Sequence, residues 1–317
     1  MTGYLSTAEG ARYQLPSFLE VKLLRTGSVP CDSFQLSFPY TPEMRPILEH
    51  AVRFTAQEGE TVLLHGILDE CTVRWEKSGA QGRLGGRGLA ALLLDNEVEG
   101  ASYRSATLRQ LLEKYVQPLG LCWRTTPALS GAGYSVESGA SAWKAIADFS
   151  RRFGGWLPRF SAAGELLLGE TKPALYLLDT SVPVQTMQWQ EKRYGVLSEV
   201  TVLQKKSNTR TTVRNESFLR QDGRCRRVLY ADSALSAAAV KQLGRQRLAD
   251  SLAERNTVEL TVPLLLTPEP MDTVRLARDD WGIAGDFTLV ERENHWDAKG
   301  VRTKLTLRKK EDNDVDF

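Results

Sequence analysis

The side chains that most often carry enzyme chemistry are few and widely separated in this sequence. No two histidines stand at the spacing of a metal-binding pair, and neither a CxxC pair nor a GxSxG motif occurs. We therefore predict no catalytic, metal-binding or cofactor-binding residue, and free thiols in a reducing compartment. The histidines are His50, His65 and His295, and the cysteines are Cys31, Cys71, Cys122 and Cys225.

Three clusters of acids raise the possibility of a glycoside hydrolase. They are Asp69 with Glu70, Asp95 with Glu97, and Asp279 with Asp280. Such an enzyme needs two carboxyl groups that face each other across a cleft, ~5 to 9.5 Å apart. Adjacent residues of a strand point to opposite faces of the sheet. We therefore expect these acids to lie in turns and on surfaces.

The glycine-rich segment GRLGGRG (82–88) is the best candidate for a loop that cradles phosphate. It matches neither GxGxxG nor GxxxxGK[ST]. The apolar run that follows predicts a strand, whereas a dinucleotide site has a helix in that place. We predict a flexible loop between strands, in which Arg83 and Arg87 are candidates for contact with a partner.

The segment 205–227 carries eight basic residues against Glu216 and Asp222, a local excess of six positive charges. Nucleic-acid contact is one interpretation, but Phe218 is the only aromatic residue there, so a base-stacking platform is not predicted. A solvated hairpin or a basic surface that meets an acidic protein fits better. The basic residues are Lys205, Lys206, Arg210, Arg214, Arg220, Arg224, Arg226 and Arg227. All of them except Arg214 and Arg220 join Arg83 and Arg87 as predicted interaction residues.

Composition excludes several classes of protein. The chain has 317 residues, and its 41 basic and 39 acidic residues leave a net charge of +2, so it is not built to coat nucleic acid or an anionic membrane. With 42% hydrophobic residues it is globular, with about two domains expected from its length. The longest apolar run, LAALLL (89–94), is too short to span a membrane, and we expect no secretory signal.

Strand patterns dominate both ends of the chain, and helical patterns occur in the middle. We expect a first β-barrel domain at 1–100, a small α+β module at 101–182, a second β-barrel domain with a long helix at 183–310, and an acidic tail at 311–317. The predicted fold is thus mainly β with α+β, with two related β-barrels flanking the module.

The middle module contains two helices that the sequence delimits clearly. The first has an apolar stripe from Leu108 to Tyr115, a capping box at Thr107 and Gln110, and an end at Pro118 and Gly120. The second runs from a Ser141 cap to Gly154 and Gly155. We expect the core of the module to contain Leu108, Leu111, Leu112, Tyr115, Ile146, Phe149 and Phe153.

An internal echo relates residues 51–79 to residues 273–300. Both segments contain a Val-Arg strand, a glycine before the next strand, then Trp, then a glycine turn, at an offset close to 220 residues. If the echo is a true duplication, two related β regions flank the middle module, and they have the same topology.

The order of these elements resembles the baseplate hub proteins of contractile phage tails and related particles, the Mu-like hub family. The likeness extends over roughly 15–310. It rests on the PLGL end of the first helix (118–121), the GELLL hairpin (164–168), strands at 258–262 and 274–276, and the motif IAGDFTL (283–289).

This resemblance implies a structural function. Hubs of this family are homotrimers that join a hexameric tail tube to a trimeric spike and nucleate tube assembly. The implied partners are further copies of the chain, the tube protein, the spike protein and other baseplate proteins, with nucleic acid at most in transit through the lumen. The protein would be made in the bacterial cytoplasm and reside in the baseplate of a phage or phage-tail-like particle. The alternatives are a hub-associated peptidoglycan hydrolase and a tail protein that contacts nucleic acid.

Overall fold

The computed structural model describes residues 1–27, 31–77, 79–169, 172–204, 209–231, 236–252 and 255–309. The chain is mainly β, with a small α+β part, as the sequence predicts. It divides into two compact units. The first comprises Met1–Leu175, Val262–Asp272 and Leu289–Lys304, and the second comprises Tyr176–Thr261, Thr273–Thr288 and Leu305–Phe317. The segments bounded at residues 100, 182 and 310 stay a prediction.

The first β region is an antiparallel sheet in which alternate side chains are buried. Its strands are β1 (Thr2–Thr7), β2 (Arg12–Gln14), β3 (Glu20–Thr26), β4 (Ser33–Pro39), β5 (Ala51–Glu58), β6 (Thr61–Glu76) and β7 (Gly79–Gly88). Neighbouring strands follow the order β3-β4-β7-β6-β5-β1-β2. A 3-10 turn (Pro42–Met44) and helix α1 (Arg45–His50) connect β4 to β5. Val21 and Leu23 of β3 and Phe34 and Leu36 of β4 pair across the sheet in its core.

Strand β7 corrects the prediction for the glycine-rich segment, which is not a loop. Its glycines allow bulky side chains to cover the sheet: a Cβ at Gly82 would overlap the ring of Phe38, and one at Gly86 would overlap the ring of Phe34. The paired strand β6 is continuous and shifts register between Leu68 and Glu70. Glycine here permits close packing rather than a phosphate-binding turn.

The apolar run after β7 is also different from the prediction. Residues Ala90–Asp95 form helix α2, not a strand, and Ala90, Ala91 and Leu93 are buried. Short apolar runs carry no periodicity that separates a buried strand from a buried helix, so the sequence did not distinguish the two.

The middle module has the two predicted helices, and its sheets are short. Its elements are β8 (Glu97–Val98), β9 (Ala101–Thr107), α3 (Leu108–Tyr115), a 3-10 turn (Gln117–Leu119), β10 (Ser130–Val136), β11 (Ala140–Ser141), α4 (Ala142–Gly154), β12 (Arg159–Phe160) and β13 (Leu166–Leu167). The Gln110 N–H donates to Thr107 Oγ1 at 3.3 Å, and the Thr107 N–H donates to Gln110 Oε1 at 2.9 Å, which confirms the capping box. Gly120 and Gly155 adopt left-handed conformations, at φ 71° and 76°, where the helical segments end.

The predicted core of this module is confirmed. Six of the seven residues are buried, and Phe153 packs partly buried against them. The rings of Phe149 and Phe153 lie 4.9 Å apart, and Tyr134 contacts Phe149 edge-on at 5.0 Å. The Tyr134 hydroxyl donates to the Ala145 carbonyl at 2.6 Å, so this aromatic cluster has a satisfied polar group.

The second β region comprises six strands. These are β14 (Leu175–Leu178), β15 (Thr186–Glu191), β19 (Asn256–Val262), β20 (Thr273–Arg278), β21 (Ile283–Asp297) and β22 (Gly300–Lys309). Five of them lie in the order β15-β19-β22-β21-β20, and β14 pairs with β20. Met187 and Trp189 of β15 lie opposite Leu260 and Val258, whose side chains are buried.

The two β regions have the same strand order, which confirms the topology expected from the internal echo. Numbered along the chain, the five strands of the first region, β3 to β7, lie in the order one-two-five-four-three. The five strands of the second region, β15 and β19 to β22, lie in that same order. The echo segments occupy the third, fourth and fifth strands in both.

A second sheet is inserted between β15 and β19. It consists of β16 (Glu199–Gln204), β17 (Arg210–Arg214) and β18 (Arg226–Ala231), with β16 in the centre, antiparallel to β17 and parallel to β18. Helices α5 (Glu216–Arg220) and α6 (Ala237–Leu252) complete it. Gly244 of α6 lies against Val213 and Val202, where a larger residue would overlap Val213, so the helix approaches the sheet closely.

A buried arginine links several segments of the first unit. Arg25, on β3, is 2% exposed and forms ion pairs with Asp32 and, at 2.5 Å, with Glu269. It also donates to the Phe160 carbonyl at 3.2 Å. Burial raises the pKa of Asp32, while Arg25 and the Thr26 N–H, which donates at 2.8 Å, oppose that rise. One guanidinium thus holds a strand, a loop and the middle module together.

We expect the substitution Leu111→Ala to lower the free energy of unfolding by about 2–5 kcal/mol, because it opens a cavity in the core of the middle module. Denaturant unfolding measures the change. A loss below about 1 kcal/mol would show that this side chain does not pack in the core.

We expect Arg25→Met to lower the free energy of unfolding by about 3–5 kcal/mol, because it leaves the carboxylate of Asp32 buried without its cation. Arg45→Met is the matched control, since Arg45 pairs with Glu49 on the exposed surface of α1 and should have almost no effect. Equal losses in the two variants would contradict a role for the buried network.

Candidate assembly surfaces

The first β region presents a polar groove of about 450 Å³ on the strands β3, β4, β7 and β6. Arg83 lies opposite Ser37 on one side and Thr72 on the other, so its exposed side chain stands in the middle of the groove. Glu20, Lys22 and Glu70 add both signs of charge around it. Mixed charge and high exposure suit contact with a polar partner surface better than capture of an apolar small molecule.

Arg87 is not a free cation. Its guanidinium donates to both carboxylate oxygens of Asp69, at 2.7 and 2.9 Å, and to both of Asp95, at 3.0 and 2.7 Å. The pKa of Asp95 is lowered by this contact, and the pKa of Arg87 is raised by its two acids. The side chain therefore joins β6, β7 and the end of α2.

This arrangement also brings together acids from two of the clusters considered for hydrolysis. Asp69 and Asp95 converge, but the Arg87 guanidinium lies between them. A general acid needs a raised pKa so that it holds its proton near neutral pH, and the arginine acts in the opposite direction on Asp95. The pair is built as a salt bridge.

The two histidines of the β regions are hydrogen-bonded in place. His65 Nδ1 lies 2.8 Å from the Thr55 hydroxyl, and burial lowers its pKa. His295 Nε2 lies 3.0 Å from a Glu20 carboxylate oxygen, and Arg302 Nη2 lies 2.6 Å from its Nδ1. Among the residues that the structure describes, no three His, Cys, Asp or Glu side chains form a group that could hold a metal ion.

The basic stretch does not form the expected hairpin. Its strands β17 and β18 are separated by β16, and α5 lies between them along the chain. Glu199 of β16 neutralises part of the charge, because Arg214 and Arg226 flank it at 3.0 and 3.4 Å. Glu199 precedes the stretch in sequence, so a count of local charge could not include it.

The remaining arginines of this stretch point in different directions. Arg210 is exposed at the start of β17. Arg224 pairs with Asp222 at 3.0 Å and donates to the Leu219 carbonyl at 3.1 Å. Arg227 lies opposite Val200, on the other side of the sheet from Arg226. Lys205 and Lys206 lie outside the described residues.

Two exposed tryptophans were missed by the analysis of charge and motifs. Trp75, near the tip of the β6–β7 hairpin, is 69% exposed and contacts the Tyr40 ring edge-on at 5.8 Å. Trp189, in the middle of β15, is 54% exposed. A large aromatic residue on an accessible strand is a common feature of protein interfaces. The available signal was the position of each Trp in an alternating strand pattern.

Solved structures of tail proteins share this fold over nearly the whole chain. A tail protein from Neisseria meningitidis MC58 matches 97% of this chain with 96% of its own, at a TM-score of 0.79 and 19% identity. The 43 kDa tail protein of prophage MuSo2 from Shewanella oneidensis matches 97% of this chain with 98% of its own, at 0.77 and 15% identity. This chain has the fold of a phage tail protein.

The tail-protein fold extends to secretion machinery. The Escherichia coli c3393 protein is a component of the type VI secretion system with structural similarity to the T4 bacteriophage tail proteins gp27 and gp5. It matches 93% of this chain with 74% of its own, at a TM-score of 0.56 and 10% identity. No protein-family model and no curated protein matches the sequence. The predicted resemblance to baseplate hub proteins is therefore confirmed as a likeness of fold. None of the described helices is both long and apolar enough to cross a membrane.

The resemblance to hub proteins implies that the chain self-assembles. We expect reversal of Arg210, Arg224 and Arg227 to Glu to slow that assembly roughly tenfold and to leave the fold intact, because exposed charges act mainly on the encounter rate. Light scattering of the purified protein follows assembly, and circular dichroism follows the fold.

The control variant carries the same charge change at three other exposed arginines, Arg45, Arg109 and Arg124. If both variants assemble at the wild-type rate, the basic stretch is only a solvated surface.

Proposed function

We propose that the chain is a structural baseplate hub of a contractile tail or injection particle, acting as a homotrimeric adaptor between a hexameric tail tube and a trimeric spike. The observation that carries the proposal is the recurrence of one five-strand order in two β regions of a single chain that has the tail-protein fold.

Symmetry gives this recurrence its meaning. Two stacked rings can make the same contact at every position only when their rotational symmetries match. Three chains with two equivalent β regions each provide six similar positions, which suit a sixfold tube. The two regions of each chain also differ from each other, so a ring of three chains has threefold and not sixfold symmetry. That symmetry suits a threefold spike. The hub would thereby convert one symmetry into the other and nucleate the tube.

The charged surfaces support the same function. The groove around Arg83 and the exposed arginines of the inserted sheet are polar areas spread over the chain, as a protein that contacts several neighbours needs. The proposed partners are further copies of this chain, the tube protein, the spike protein and other baseplate proteins. Nucleic acid would only pass through the lumen. The protein would be made in the bacterial cytoplasm and reside in the tail baseplate.

We expect the purified protein to have a native mass of about 106 kDa, three times the 35.4 kDa of one chain. Native mass spectrometry measures it, and two-dimensional class averages should show a ring of six similar densities with threefold symmetry. A protein that stays monomeric at micromolar concentration, or a ring of another order, would contradict the proposal.

A further inference from the structure

The two β regions are joined by a strand pairing that has no counterpart elsewhere among the described strands. Residues 291–296 of β21 pair antiparallel with β3, so that Trp296 lies opposite Val21 and Asn294 opposite Leu23. Numbered within each region, the fourth strand of the second region (β21) pairs with the first strand of the first region (β3). The pairing uses the residues of β21 that lie nearest its turn into β22. Trp296 packs partly buried against the core of the first region.

The equivalent part of β6 has a bare edge. Its pairing with β5 stops where Arg53 lies opposite Ile67, whereas its pairing with β7 continues to Glu76 opposite Gly79. Residues 70–76 of β6 therefore carry one hydrogen-bonded neighbour, and no other strand of the described chain pairs with them. An unpaired stretch of this kind is a template for another strand.

The two hairpins can be placed in register. Gly79 and Gly300 each begin the last strand of their region, and Trp75 and Trp296 each stand four residues earlier. The segment 70–75 thus corresponds to 291–296. Trp75 and Val73 lie on the core face, because Val73 is opposite Gly82, over which the ring of Phe38 packs.

The strand equivalent to β3 also has a bare edge. β15 is the first strand of the second region, and β19 is its only neighbour among the described strands. Met187 and Trp189 lie on its core face, opposite buried residues of β19, yet Trp189 is more than half exposed. Each region therefore has one edge that could form a pairing like that of β21 with β3. Among the described strands, that pairing occurs once.

We propose that β15 of one copy pairs antiparallel with residues 70–75 of β6 in a second copy and so repeats the junction of β21 with β3 between chains. The pairing places Trp75 and Val73 of the second copy on the same face as Met187 and Trp189 of the first. Both exposed tryptophans would then be covered, as Trp296 is at the internal junction. This inference rests on the proposed ring and deepens it by naming the strands that close it.

The proposed contact is heterologous, since one copy gives the edge of β6 and the other gives β15. Such contacts form a ring when the rotation between copies closes, and a filament when it does not. Backbone hydrogen bonds would supply much of the affinity, and the alternate side chains would fix the register. The exposed polar residues Arg74 and Gln188 lie on the opposite face, where they do not disturb the apolar contacts.

Cysteine crosslinking tests the pairing. The background is Cys71→Ser with Cys122→Ser, which removes the two exposed thiols. One chain then carries Arg74→Cys, and a second carries cysteine at Thr186, Gln188 or Gln190 in turn. We expect mild oxidation of the mixed chains to form disulfide dimers with at least one of these three residues, and mass spectrometry of the linked peptides identifies the register.

Two controls make the result specific. Met187→Cys lies on the other face of β15 and should link to Arg74→Cys at least tenfold less. Glu60→Cys, in the turn that precedes β6, should not link to cysteine at Thr186, Gln188 or Gln190. Crosslinking of Arg74→Cys chains to one another would show that two β6 edges meet instead, and equal yields in all mixtures would show random collision. Either result would overturn the proposal.

Association measurements give a second, independent readout. Trp75→Ala should weaken self-association roughly 30-fold, as expected when a central aromatic contact is lost. The monomer should be as stable as wild type, because Trp75 is largely exposed in one chain. The exposed Tyr194→Ala is the matched control and should leave association unchanged.

The crosslinks and the native mass separate the two proposals. A trimeric ring without the disulfide between β6 and β15 would refute the pairing and leave the hub function standing. The disulfide in an assembly that is not trimeric would support the pairing and contradict the proposed hub.

Discussion

The buried guanidinium of Arg25 is the constraint on which the first unit depends. A cation that is 2% exposed must have acceptors within reach, and it finds them on Asp32, on Glu269 and on the Phe160 carbonyl. Those acceptors come from a loop of the first β region, from the segment before β20 and from the middle module. Leaving Arg25 or one of these acceptors buried without its partner costs free energy. The three segments, although distant in sequence, are therefore held together at Arg25.

The two β regions share one strand order, but their last strands are packed differently. In the first region the last strand, β7, is rich in glycine, so the rings of Phe34 and Phe38 cover it directly. In the second region the last strand, β22, carries the buried side chains Leu305 and Leu307. The backbone pairing is therefore shared while the packing differs, so the two regions show only a faint likeness in sequence.

Local signals in the sequence predicted local structure well. The helices α3 and α4, with their caps at Thr107 and Ser141, follow from apolar spacing and polar caps that lie within a few residues. The errors involve partners that are distant in sequence. Glycine content suggested a loop at 82–88 because Phe38 was not known to lie over it, and Glu199 was not counted against the arginines that it neutralises. The candidate interface strands were hidden for the same reason, since an edge is defined by the neighbours that a strand lacks.

The sheet inserted between β15 and β19 has a consequence for any larger assembly. In the first region the corresponding strands, β3 and β4, are joined by a few residues, whereas here the connection spans 192–255. The two β regions thus share a strand order, but only the second carries the inserted sheet. In the proposed ring of three chains, the inserted sheet would recur at every second of the six positions. A neighbouring protein that contacts the inserted sheet would therefore bind at alternate positions of the ring, in one of three equivalent orientations.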